Sequence, residues 1–157
     1  MDISDEMRYR ILCIGKIKEH FFRDIIGDIC VKMKKTGNEL EIIEMPDIKI
    51  PDNLSESKKE AFLERECEQM KKRIEKSDYV IALCIEGREL STKKHKELTN
   101  ALRYDGKSSV TYIIGGSLGL PKWIKDRADV KMSFSKMTFP HQLMRVVLCE
   151  EILKNCT

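Results

Sequence analysis

Short apolar runs rich in β-branched residues alternate along this chain with helical patterns, and that alternation restricts the fold more than any other feature. Residues 9–14, 40–43, 79–85 and 110–114 read as buried strands, most of them followed by turn-forming residues, with 130–134 a weaker fifth. The intervening patterns predict helices over 19–35, 55–76, 92–104 and 121–128, and a last one beginning near Pro140. The second is the clearest: Leu63, Cys67, Met70 and Ile74 recur at steps of four and three, a stripe that should face a sheet, with Ser55 as the N-cap. Strand and helix in strict alternation predict an α/β fold, a mostly parallel sheet flanked by helices on both faces. A chain of 157 residues is expected to form a single domain over 1–157.

The final helix stands apart. Leu143, Met144, Val146, Val147, Leu148, Cys149, Ile152 and Leu153 leave it little polar face, so something must cover it all round. In a domain this small, that predicts a homodimer interface involving Val147, Leu148 and Ile152. The segment 45–53, with two prolines and two aspartates, reads as the most mobile connection.

Charge excludes little. The formal +3 arises from 29 Lys and Arg against 26 Asp and Glu, too even to identify a nucleic-acid partner. From Lys122 onward, seven basic residues face four acidic ones, which permits phosphate contacts. The six cysteines are scattered without a CxxC pair, which predicts reduced thiols and no metal site. MDISDEMRYR lacks the apolar core of a signal peptide, and no run approaches membrane-spanning length, so a cytoplasmic protein is expected.

Three strand-to-loop junctions could build one site, because parallel strands gather their carboxyl ends along one edge. They are Leu83-Cys84-Ile85-Glu86-Gly87, Ile114-Gly115-Gly116-Ser117-Leu118-Gly119, and the stretch from Phe134 to His141. Gly115, Gly116 and Gly119 would let backbone approach a ligand, or would simply make a tight turn; they match neither a dinucleotide fingerprint nor a P-loop. His141 after Pro140 should sit at a helix N-terminus, where the dipole lowers its pKa. It could serve as a neutral proton acceptor or as an interface hydrogen-bonding group. Arg145, one turn on, could hold a phosphate or carboxylate, or pair with Glu150 or Glu151. Lys16, Lys18 and Arg88 could touch an RNA backbone, Trp123 could stack on a base or merely pack, and His20 and His95 show no partner.

Along nearly its whole length the sequence resembles the 23S ribosomal RNA pseudouridine N3-methyltransferases, the RlmH type of the SPOUT class. The resemblance is carried by Ile14-Gly15-Lys16, Glu44-Met45-Pro46, Glu66-Cys67-Glu68-Gln69-Met70 and residues 80–87, and above all by Ile113-Ile114-Gly115-Gly116-Ser117-Leu118-Gly119-Leu120 and the run from Ser133 to Leu148. It implies a SPOUT fold with a C-terminal trefoil knot, a homodimer, and S-adenosyl-L-methionine held by Leu83, Gly115, Phe134, Ser135, Lys136, Met137, Thr138 and Phe139. The implied reaction is methylation of a pseudouridine N3 presented by the ribosome, with His141 and Arg145 as catalytic candidates. Implied partners are ribosomal RNA and a second copy or a full-length paralogue; neither DNA nor a membrane is implied. Family chains carry a Tyr-Arg pair and a further tail where this sequence reads Leu153-Lys154 and ends at Thr157, which predicts retained cofactor binding with poor turnover on the usual ribosomal substrate. The competing expectations are another acceptor, RNA or not, and a cofactor-binding regulator without catalysis.

Overall fold

The computed structural model describes residues 6–157, so the first five residues of the polar start read above lie outside the described residues. Among the described residues the strands are β1 (Arg8–Ile14), β2 (Glu39–Met45), β3 (Val80–Glu89), β4 (Ser109–Ile114) and β5 (Val130–Ser133). They pair in parallel throughout, in the order β2-β1-β4-β3-β5. The helices are α1 (His20–Lys35), α2 (Glu56–Glu66), α3 (Thr92–Tyr104), α4 (Lys122–Arg127) and α5 (His141–Asn155). Strand and helix alternate as expected, and no helix among the described residues is long and apolar enough to cross a membrane.

The two-residue period of the strands sorts the core onto two faces. Tyr9, Ile11, Cys13, Ile81, Leu83, Val110, Tyr112 and Ile114 point to one face, under α1, α3 and α5. Leu12, Ile14, Val80, Ala82 and Ile113 point to the other, against Cys67, Met70 and, from α4, Ile124. Each of these side chains, once buried, contributes on the order of 1.5–3 kcal/mol if large and aliphatic.

The long helix expected over 55–76 is shorter. It ends at Glu66, turns at Cys67, and continues as a 3-10 segment over Glu68–Arg73. A 3-10 turn aligns residues three apart, so Cys67 and Met70 still share one face and are both fully buried. The stripe was read correctly and its helical period was not. Ser55 does precede α2, but its hydroxyl meets Ser57 rather than capping a backbone N–H.

The last helix corrects a second expectation. Leu148, Cys149 and Ile152 are fully buried inside this chain, with Leu153 nearly so, where α5 packs on α1 and α3. Leu148 and Ile152 are thus core residues. The apolar surface that α5 leaves uncovered lies in its first half, where Val147 is 36% exposed and Leu143, Met144 and Val146 are half-buried.

His95, which showed no partner in the sequence, has two. Its ring lies within 2.6 Å of the Tyr112 hydroxyl and 3.2 Å of the Asn155 amide, closing a buried polar link between α3, β4 and the end of α5. Burial holds its pKa below the ordinary 6.5, against a smaller opposing pull from Glu151. A folded-state pKa below the unfolded one means that the unfolded chain binds more protons in that window, so stability falls as pH drops. Urea unfolding should therefore give a lower free energy at pH 5.5 than at pH 7.5, and His95→Gln should reduce the difference. An unchanged pH slope in that variant would overturn the assignment.

Candidate active site

The loops after β3, β4 and β5 meet at the carboxyl edge of the sheet and enclose a cavity of about 720 Å³. That lies within the range of small-molecule sites, roughly 300–1,000 Å³.

The first wall is a bulge in β3. Leu83 and Arg88 both align with Met132 of β5, so residues 84–87 are pushed out of register. Cys84, Ile85 and Glu86 face the cavity as a result. Gly87 makes the bulge possible: a Cβ there would stand 2.7 Å from the backbone of Lys131 and Met132. Lys125 of α4 meets Glu86 at 2.5 Å, and this hydrogen bond holds the Glu86 carboxyl below its ordinary pKa.

The second wall is the glycine loop. Gly119 has φ +95° and donates its N–H to the Gly116 carbonyl at 3.2 Å. A Cβ on Gly115 would stand 2.7 Å from the Gly119 carbonyl carbon and 3.0 Å from a Leu120 methyl. The glycine is thus required by the loop itself, not only by whatever lies in the cavity. Behind the loop is Glu66, only 7% exposed, whose carboxylate oxygen would be 3.0 Å from a Cβ on Gly116. Burial raises its pKa, partly offset by the Ile48 backbone.

The third wall is the segment between β5 and α5. The Ser133 hydroxyl donates to the Ser135 carbonyl at 2.8 Å, and the Ser135 hydroxyl accepts from the Met137 N–H at 3.0 Å. These bonds fold the chain back, bringing Phe134, Ser135, Met137, Thr138 and Phe139 to the cavity. Pro140 then caps α5, whose first residue is His141.

Of the residues singled out in the sequence, Leu83, Gly115, Phe134, Ser135, Met137, Thr138, Phe139 and His141 line this one cavity. Lys136 is exposed and outside the lining. His141 is half-buried with its pKa lowered, as expected, but by burial and the Arg145 guanidinium, while Asp47 opposes. Arg145 itself is fully buried and does not reach the cavity. Neither Glu150 nor Glu151 is its partner: one nitrogen holds Glu44 at 3.0 Å and another donates to the Ile14 carbonyl. Lys16, Lys18 and Arg88 are exposed. Trp123 packs on the second core face beneath the Lys71 ammonium.

Sequence reasoning missed Lys59 and Lys125, which reach the cavity from α2 and α4. Nothing in their local pattern could have found them, since only the tertiary packing of those helices brings a lysine to this edge. No cluster of metal-binding side chains occurs among the described residues.

The same chain has known relatives. Residues 7–157 match the model of a family described as predicted SPOUT methyltransferase. A relative from Methanococcus maripaludis is 44% identical over 95% of this chain and 93% of its own length. Proteins named ribosomal RNA large subunit methyltransferase H, from Streptococcus equi subsp. zooepidemicus and Streptococcus mutans, are 38% and 39% identical over 94% of this chain and 92% of theirs. The crystal structure of a probable methyltransferase from Bordetella pertussis Tohama I shares the fold, with a TM-score of 0.53 at 12% identity over 99% of this chain and 96% of that one. A family match over all but the first six residues, joined to a parallel sheet whose carboxyl edge carries the cavity, establishes that this chain belongs to the SPOUT methyltransferase family.

Proposed function

We propose that this chain is an S-adenosyl-L-methionine-dependent methyltransferase that acts on N3 of a pseudouridine in large-subunit ribosomal RNA. The observation that carries the reading is that the three family-like loops line one cavity with His141 in its wall. The names of the Streptococcus relatives support the ribosomal acceptor. The trefoil knot belongs to the same proposal and rests on the family match.

The residues present fit the cofactor. A Cβ on Gly115 would collide with the Gly119 backbone, Gly119 holds the positive φ the turn requires, and apolar Leu83, Leu120, Phe134 and Phe139 offer surface for an adenosine. When bound, S-adenosyl-L-methionine supplies a methyl group on a positively charged sulfur, already an excellent leaving group. What remains for the protein is to align the acceptor and take its proton. Methylation of N3 would require the loss of its proton, and a ring nitrogen of His141, in the cavity wall, would be placed to accept it. Burial and Arg145 keep that ring neutral at pH 7. Arg145 is a positioning residue in this reading, tying the first turns of α5 to the ends of β1 and β2. A homodimer through Val147 and its half-buried neighbours completes the proposal.

Three measurements test it. Gly115→Val forces the loop apart, an overpacking that costs about 1–3 kcal/mol, so calorimetry should show S-adenosyl-L-methionine binding weakened about tenfold or more. Equal binding by wild type and variant would remove the site. Labelled methyl should reach ribosomes from a strain lacking any relative of this chain, and activity should rise with pH along a limb below 6.5, the ordinary value. His141→Gln should lose that limb and about 10²-fold or more in turnover; label in protein or small molecules instead would shift the acceptor class. Val147→Glu should convert dimer to monomer in light scattering at low micromolar concentration, and an unchanged mass would discard that interface.

A further inference from the structure

Most side chains around the cavity are uncharged. The exceptions are Lys59, His141 and the ion pair of Glu86 with Lys125. That pair has no evident structural task. Its side chains are 51% and 33% exposed, and exposed pairs of this kind contribute little to stability. Yet its two members are held by separate, well-anchored elements. Glu86 stands on the β3 bulge, pinned by the close approach of Gly87 to β5. Lys125 stands on α4, which is fixed to the second core face by the fully buried Ile124. A site built on such elements is preorganised rather than assembled on binding.

An ion pair in a cavity wall presents both signs of charge at one place, which is what a zwitterionic amino-acid group requires. Resting on the reading that this cavity takes S-adenosyl-L-methionine, we propose that Glu86 and Lys125 hold the amino-acid end of that cofactor. Lys125 donates to the α-carboxylate and Glu86 accepts from the α-ammonium. The pair need not break to do so. An ammonium has three N–H donors and a carboxylate accepts about four hydrogen bonds, so each group keeps capacity after serving the other. Glu86 is anionic at neutral pH, since Lys125 holds its pKa down. Placement agrees with the chemistry: Lys125 enters from the second face of the sheet, whereas His141 enters on α5 from the first. The charged anchor and the candidate proton acceptor therefore reach the cavity from helices on different faces of the sheet.

Calorimetry with three ligands tests the assignment on wild type, Lys125→Met and Glu86→Gln. S-adenosyl-L-methionine carries both charges, its decarboxylated form keeps only the ammonium, and methylthioadenosine lacks the amino-acid end. Lys125→Met should weaken S-adenosyl-L-methionine about tenfold while leaving the decarboxylated form unchanged or tighter. Glu86→Gln should weaken both. Neither should alter methylthioadenosine, whose retained binding also reports an intact cavity. Equal losses across all three ligands, or no loss for S-adenosyl-L-methionine, would overturn the inference. Failure of wild type to bind S-adenosyl-L-methionine would overturn the cofactor reading and this inference with it, whereas normal wild-type binding with unselective variants would overturn the inference alone.

Discussion

A buried guanidinium decides where the last helix begins. Arg145 has no exposure to solvent, and removing such a charge from water costs several kcal/mol unless it is fully engaged. Its partners are the Glu44 carboxylate at the end of β2 and the Ile14 carbonyl at the end of β1. Glu44 is shared, since the same oxygen accepts the Ile17 N–H at 2.8 Å. Two of the three guanidinium nitrogens are held in this way while Nε has no partner among the described residues, and the same contacts tie the first turns of α5 to the ends of β1 and β2, with His141 and Met144 at the cavity. A residue outside the site thus sets the geometry of the residue within it.

The glycines act by the same logic of close approach. Gly87 lets β3 bulge against β5, and Gly115 lets its loop close on Gly119. Each is required by backbone packing before any ligand is considered. A binding loop whose shape is fixed by its own chain spares the ligand the entropy of ordering it. The cavity is therefore a consequence of how the three connections pack, and its walls are largely preformed.

Much of this was legible in the sequence, for identifiable reasons. The strands were visible because parallel strands buried on both faces read as continuous apolar runs, whereas the helix over 92–104 buries polar His95 and Thr99 beside Leu102. The three loops were visible because strand ends in such a sheet converge, and the family resemblance then named most of the residues in them. What escaped detection depends on long-range packing. The 3-10 turn after Cys67 preserves the burial spacing of a helix, so periodicity could not reveal it. Arg145 finds Glu44, 101 residues away, rather than an acid on its own helix. His95 looked isolated because Tyr112 and Asn155 reach it only through the tertiary fold. Lys125 could be seen in the sequence, but not its meeting with Glu86.

The two halves of α5 answer different demands, which is why its composition misled. Toward the C-terminus, Leu148, Cys149 and Ile152 face α1 and α3, and the core accounts for them completely. Toward the N-terminus, His141 and Met144 face the cavity while Val147 is exposed, and Met137 and Phe139 of the preceding loop line the cavity with exposed surface of their own. Apolar side chains that border a cavity mouth are poorly solvated, and covering them would exclude water from the space they surround. In the proposed dimer, association through this half of the helix would lie against the wall that carries His141. Dimerisation and the proton-transfer environment would then be coupled through one helix turn, with Arg145 fixing that turn from within.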